Sequence, residues 1–476
     1  MSKILNVRLP DASGGNYDPQ KFNQLVRSLE QVILQLNSTY TPVTSENTQA
    51  ALSWFEAGGG QCEMNSGSTV PISIGGTNTD AFGRLRVSQP YTLFDSQNRY
   101  AADNQFDVAT TGTGTTTFLS NEAAVKMEVT SGGVGSVTRQ SFRSFPYQPG
   151  KGLLVLATFV MDSSTSANLT QSVGYFNASD GVFFTRTGST NSFVLRSSST
   201  PTPGTPSDVR TVNQSSWNGD KLDGTGASGL TLDPTKAQIL WMDFEWLGVG
   251  SVRCGFIIDG QYIVCHTFEN ANDITSVYMT TAILPVRYSI TTTTSAVAAS
   301  MKAICCTVIS EGGFEQTSID HVARRTTVFT NIDTASTFYP IVSIRLASGR
   351  TGAVVLPNRA QFLPITNQNY EVVLLKNPTL TGATWAATVD SDTNVQYDVA
   401  ATAISAIGTI VQTDYITSSG SGGVSQTSLP NDYNFDLQLG ASLAGVSDIY
   451  TLGVRTVDGA TKGSGVGSIS FFDLTQ

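Results

Sequence analysis

Between Gln238 and Phe268 three runs of alternating apolar residues are separated by two tight turns, and few folds accept that pattern. On Gln238–Trp246 the two-residue period of a strand puts Leu240, Met242, Phe244 and Trp246 on one face. Trp241, Asp243 and Glu245 fall on the other. Turns at Leu247–Gly250 and Asp259-Gly260 then return the chain through Ser251–Ile258 and Gln261–Phe268, which makes an antiparallel meander. An Asp-Gly pair suits a two-residue type I′ turn, where both central residues need positive φ. The register of such a turn sets Cys254 opposite Cys265, as two small buried thiols or as a cross-strand disulfide.

The same pattern runs through most of the chain. Leu153–Asp162 reads as a buried strand, and Val173–Phe176 and Val182–Thr187 as a hairpin around Asn177–Gly181. Phe193–Arg196, Ala282–Ile290 and Ala298–Ile309 are further strands, while Thr200–Gly229 reads as a long surface loop. Tyr339–Leu346, Val354–Leu356, Tyr370–Leu375, Trp385–Val389, Ile404–Val411 and Ile469–Leu474 form a second set. Only 13% of residues are charged, about half the usual share, and 44 glycines punctuate the runs. That composition suits strands and turns and is poor in the residues that surface helices favour. The expected fold is mostly β: a short N-terminal oligomerisation helix followed by two β-sandwich domains of jelly-roll or lectin-like type, 98–325 and 326–476.

The first hundred residues differ. Residues 1–45 hold an arm and one helix. Asp18-Pro19 is a helix start, with Asp as N-cap and Pro at the first helical position. Phe22, Leu25, Leu29, Val32 and Leu36 then follow a 3-4-3-4 spacing, the seam of a coiled coil. Val26 and Ile33 widen the stripe. This face either joins sister copies, three more readily than two, or lies on its own domain. Residues 46–97 read as an extended docking tether that ends in Ala81-Phe82-Gly83-Arg84-Leu85-Arg86-Val87, with a short strand at Tyr91–Asp95 beyond it. Phe82 and Leu85 alternate with Arg84 and Arg86, whose guanidinium groups can dock on partner carboxylates or carbonyls; an edge strand with solvated arginines is the other reading.

Chemistry is sparse. A net charge of −10 disfavours nucleic-acid binding, because nothing would offset phosphate repulsion. No basic segment followed by an apolar one opens the chain, and no apolar run approaches the ~20 residues that span a bilayer. No export signal and no membrane partner are therefore expected, and synthesis in a cytoplasm is. The two histidines, His266 and His321, have no third metal ligand nearby in sequence, and Cys305-Cys306 match no metal spacing. Asp390-Ser391-Asp392-Thr393-Asn394 opens like a calcium loop but lacks the glycine and the glutamate that such a loop needs. Gly150-Lys151-Gly152 is no phosphate loop. No cofactor is expected. One enzymatic candidate remains: Trp241, Asp243 and Glu245 as an outward-facing aromatic and carboxylate cluster that would bind, or hydrolyse, a glycan.

Several stretches resemble structural proteins of tailed bacteriophages, especially phages of cyanobacteria and other marine bacteria. They are Asp80–Phe94 (DAFGRLRVSQPYTLF), Lys151–Met161 with Gly174–Thr187 behind it, Ile304–Phe314 (ICCTVISEGGF) and Ile344–Leu356. The resemblance implies a virion component without enzymatic activity, present in several symmetric copies and in contact with other virion proteins. Head fibre, vertex spike, neck fibre and tail appendage all stay open. The plan of a short oligomerising helix, a docking tether and distal β bodies agrees with a fibre or spike that is a homotrimer. The alternative is a carbohydrate-binding or receptor-binding tail protein that meets a host surface glycan.

Overall fold

The computed structural model describes residues 90–475, apart from 295–296, 316, 387, 418–424, 429–434 and 458–461, together with Val26, Arg27 and Leu29. The chain divides into two units, Met1–Asn78 and Thr79–Gln476. In the first, Val26, Arg27 and Leu29 are helical and Leu29 is 41% exposed. Phe22, Leu25, Val32 and Leu36 lie outside the described residues, as do Phe82, Arg84, Leu85 and Arg86 of the second unit.

The second unit is almost entirely antiparallel β. Its first fifteen strands are β1 (Tyr91–Gln97), β2 (Phe106–Gly112), β3 (Gly114–Leu119), β4 (Ala124–Val129), β5 (Gly135–Ser141), β6 (Leu153–Val160), β7 (Leu169–Phe176), β8 (Gly181–Thr187), β9 (Thr190–Ser197), β10 (Ser207–Asn213), β11 (Gln238–Phe244), β12 (Val252–Ile258), β13 (Gln261–Phe268), β14 (Val286–Thr292) and β15 (Ala299–Ser310). Eight of them form one sheet in the order β13-β12-β11-β6-β15-β4-β3, with β1 also on β15. The other seven form the opposing sheet, β10-β9-β8-β7-β14-β5-β2.

Between the two sheets lies one apolar core, to which both sheets contribute inward-facing residues. Aromatic rings clasp the layers together. Phe159 and Phe256 of one sheet meet Phe184 of the other, with ring centroids 5.8 and 5.2 Å apart, and Phe193 packs on Trp217 at 4.7 Å. Each such ring stabilises the sandwich by roughly 2–3 kcal/mol through area removed from water.

The remaining strands are β16 (Asp320–Arg324), β17 (Phe329–Ile332), β18 (Tyr339–Leu346), β19 (Val355–Pro364), β20 (Asn369–Lys376), β21 (Thr379–Thr381), β22 (Val395–Asp398), β23 (Ala403–Ala406), β24 (Thr409–Thr417), β25 (Ser425–Ser428), β26 (Ile449–Thr456) and β27 (Gly463–Asp473). They build a second sandwich. One sheet runs β16-β27-β19-β25 with β17 on β27, the other β22-β18-β26-β20-β24, and β21 pairs β23. Val354, Leu356 and Phe435 reach into the core of the first sandwich. Arg143 crosses in the other direction: its guanidinium donates to the carbonyl of Phe435 and lies 3.4 Å from Asp436. The two sandwiches thus share apolar and polar contacts.

The meander at Gln238–Phe268 forms as the sequence implies. Asp259 and Gly260 both have positive φ, +51° and +77°, and Ile258 pairs Gln261 across them. A bulge then intervenes at Cys265, so Cys254 faces His266 and not Cys265. Both thiols are free and buried, and burial raises the pKa of each. Two other expectations also need correction. The loop expected at Thr200–Gly229 contains β10, the edge strand of the seven-stranded sheet, whose Val212 packs on the main core. Among the described residues of Trp385–Val389 there is no strand, only an isolated bridge from Thr388 to Gln396; Trp385 stacks under Arg345, with the guanidinium carbon 4.2 Å from the ring centre.

Candidate functional site

In the second unit the described residues begin at Pro90, just before β1, and β1 is held by an unusual arrangement. Strand β15 is twelve residues long, and one of its edges is shared. Its first half, Ala299–Ala303, pairs with β4, and its second half, Cys305–Ser310, pairs with β1. The change of partner coincides with a bulge. Ala303 stands opposite Phe159, whereas Cys306 stands opposite Ala157. The extra residue reverses the parity of the strand: Met301 and Ala303 face the core before it, Cys306 and Val308 after it.

A bulge leaves carbonyls without ladder partners, and here Asn98 satisfies them. Its Nδ2 donates to the carbonyl of Ile304 at 2.6 Å and to that of Ala303 at 3.4 Å. Its Oδ1 accepts from Arg139 Nη2 at 3.1 Å and from the Asp103 amide at 3.0 Å. Asn98 is 3% exposed, and its bonds to the Ala303 carbonyl and to Arg139 form away from water. Arg139 lies over the Phe106 ring at 4.4 Å, and burial lowers its pKa, offset in part by Tyr288 and Asp103. Along β1, Leu93 and Phe94 enter the main core, and Phe94 packs on Phe145 at 4.8 Å. Tyr91 meets Phe314 and Phe435, both at 5.9 Å, which ties the start of the strand to the junction between the sandwiches.

The glycan candidate is placed differently from its expectation. Trp241 and Asp243 do lie on the face opposite Leu240 and Met242, but that face is closed, with both residues 0% exposed. Trp241 lies over Gly255 and donates from Nε1 to the Ile263 carbonyl at 3.2 Å. Tyr262 closes over its edge with ring centroids 5.5 Å apart. Asp243 is ion-paired to Arg253 on β12. Glu245 accepts from the Ser251 amide at 3.3 Å within its turn. The three residues therefore form no open platform with two carboxylates ready for acid and base work. The physical reason is the glycine at position 255, which leaves a slot that the indole fills.

Other residues singled out in the sequence have partners within the fold. His266 accepts from the Asn218 amide at Nδ1, 3.3 Å away, and burial lowers its pKa to about 4, with Arg210 adding to the shift. His321 Nδ1 stands 3.2 Å from Asp390, beside the turn that Asp390–Asn394 makes. Lys151 bonds the Gln148 side chain at 2.9 Å. Among the described residues, no cluster of three or more His, Cys, Asp or Glu could hold a metal ion.

Sequence reading missed Asn98 and Arg139, because a lone Asn after a strand carries no pattern. It also missed a pair of arginines, Arg196 and Arg287, on the outer face of the seven-stranded sheet. Spaced arginines at outward strand positions were the available signal.

No protein-family model matches the chain, and no curated protein does. Among solved structures, the carbohydrate recognition domain of Emp47p is similar at 10% identity and a TM-score of 0.30, over 47% of this chain and 98% of that one. The conserved carbohydrate esterase of the Shiga toxin-encoding bacteriophage phi24B is similar at 10% identity and a TM-score of 0.29, over 47% and 99%. Arcelin-5, a lectin-like defense protein from Phaseolus vulgaris, is similar at 10% identity and a TM-score of 0.30, over 47% and 99%. Likenesses of this size carry no argument about what the chain binds or does.

Proposed function

We propose that this chain is a non-enzymatic structural protein of a tailed-bacteriophage particle, anchored through its N-terminal region and presenting its β body as a projecting part. One observation carries the reading. The stretches that resemble phage structural proteins are far apart in sequence, yet their described parts are neighbours in space. Asp80–Phe94 runs into β1, Ile304–Phe314 supplies the end of β15, and Lys151–Met161 contains β6. These three strands are hydrogen-bonded side by side. Gly174–Thr187 faces them across the same core through Tyr175, Val182 and Phe184, and Ile344–Leu356 reaches that core through Val354 and Leu356.

A strand locked into the sheet is a sound way to transmit force from an anchor to a body. Loading β1 along its axis would shear its ladder with β15 all at once, and the Asn98 plug adds bonds behind it. Self-association through Phe22, Leu25, Leu29, Val32 and Leu36 completes the proposal, with a homotrimer as the closed arrangement that a three-stranded seam favours. No reaction is assigned to the chain.

The test is particle labelling. Antibodies raised against residues 90–475 should decorate intact particles in electron micrographs, and purified chain should sediment as a trimer. A chain lacking residues 1–45 should fold yet fail to join particles. Antigen confined to the soluble fraction of lysed hosts, with bare particles, would overturn the proposal.

A further inference from the structure

The outer face of the seven-stranded sheet carries a feature that the structural role leaves unused. Val286 and Tyr288 point into the core, so Arg287 between them points out. On the same outer face Phe176, Phe183 and Val194 form a small apolar cluster of their own. Phe176 and Phe183 are stacked, with centroids 4.3 Å apart. Two guanidinium groups rest on this stack: Arg287 5.3 Å from the Phe176 centre, and Arg196 5.1 Å from that of Phe183.

Their charges are met unequally. Arg196 makes a two-pronged ion pair with Asp208, at 2.7 and 3.3 Å. Arg287 donates to the neutral side-chain carbonyl of Gln140 from Nε, at 2.7 Å, and from Nη2, which leaves its Nη1/Nη2 edge for another acceptor, and among the described residues no carboxylate lies within ion-pair reach of it. Burial and the neighbouring Arg196 push its pKa down to about 10, so it stays charged at neutral pH without a counter-charge.

Next to this cation the face turns uniformly hydroxylic. Two residues along the strands, Ser192, Thr185, Ser172, Ser289 and Thr138 stand side by side across β9, β8, β7, β14 and β5, with Ser192 and Ser172 buried and the other three half-buried. The following row, from Thr187 to Thr111, continues it. Neighbouring hydroxyls are spaced by the strands, roughly 4.8 Å apart. Ser172 and Thr185 bond each other at 3.0 Å, Thr185 also donates to the Gln171 carbonyl at 3.2 Å, and each oxygen keeps capacity to accept. The rows carry no charge.

We infer that this face binds an anionic polysaccharide, with a carboxylate or sulfate group on Arg287 and ring hydroxyls on the Ser/Thr rows. A guanidinium matches the two oxygens of such a group, and the aromatic stack beneath keeps it in place. Neutral hydroxyl rows match a sugar chain, whose hydroxyls both donate and accept. A nucleic acid would need a band of cations that this face lacks. A peptide would seek an unpaired strand edge, whereas these rows lie across the middle of the sheet. The inference does not depend on the chain belonging to a virion.

The full chain should be retarded in native gels containing heparin or polygalacturonate and run freely in gels containing neutral dextran, with retardation fading as salt rises. Arg287→Gln should weaken binding at least about tenfold, the loss expected for one charge-assisted pair. Ser289→Asp, which places a carboxylate in the adjacent row without touching the aromatic stack, should do the same. Melting curves identify variants that remain folded, and Ser289→Asp serves if Arg287→Gln does not fold. Free migration of the unaltered chain in both anionic polymers would overturn the inference. So would equal retardation by dextran, or unchanged binding in the folded variants.

Discussion

The indole of Trp241 occupies the space that a side chain at Gly255 would take. A Cβ there would stand 2.8 Å from Nε1 of Trp241 and 1.8 Å from the carbonyl oxygen of Ile263. Gly255→Ala should therefore push β12 from β13 and lose the bond from the indole, costing about 3 kcal/mol. Urea denaturation with an unchanged m-value would measure it; a loss below about 0.5 kcal/mol would show that the slot is not tight.

Asp243 and Arg253 make the same sheet sensitive to a change of charge. Asp243 has a fully buried side chain, while that of Arg253 is 14% exposed. Asp243→Asn leaves the guanidinium without its carboxylate and should cost about 3–5 kcal/mol. Replacing both with leucine should recover most of that loss, since the partner charge is then gone as well. Equal losses in the single and double variants would contradict this account.

Asn98 holds the bulge that lets β1 follow β4 along β15. Asn98→Leu keeps the size but strips the Ile304 carbonyl and Arg139 of their partner. About 2–4 kcal/mol should be lost. Hydrogen exchange should quicken in β1 before it does in β11–β13. Uniform quickening over both regions would mean that β1 has no separate stability.

His266 gives the fold an acid limit. Its folded pKa, about 4, lies below the unfolded value of about 6.5. Stability from the neutral ring is therefore complete above pH 6.5 and is lost as pH falls toward 4, where the unfolded chain binds the proton first. The geometry agrees in sign: protonated Nδ1 would turn an N–H toward the amide of Asn218 that it now accepts. A loss on the order of 2 kcal/mol between pH 7 and pH 4.5 is expected, and His266→Gln should flatten it. An equally steep decline in that variant would assign the effect to other groups.

How much of this could be read without coordinates depends on the range of each interaction. Periodicity is local, so the meander, its Asp259-Gly260 turn and the inward set Leu240, Met242 and Phe244 were all legible. Alternation separates the two faces of a strand but does not say what covers the outer one. Trp241 and Asp243 lie on the face that alternation indicates but in an environment that it does not, because closure depends on a glycine fourteen positions away and on an ion pair across the ladder. A bulge adds one residue with no mark in composition, so the Cys254 register slipped and the plug at Asn98 stayed hidden.

The sequence by itself therefore determined that the chain is built from short antiparallel strands, since a two-residue period punctuated by glycine suits little else. Which strands became neighbours, and so which arginines met a carboxylate and which did not, was decided only in three dimensions. Pairing between distant strands is chosen by the packing of the whole core, and no window of adjacent residues contains it.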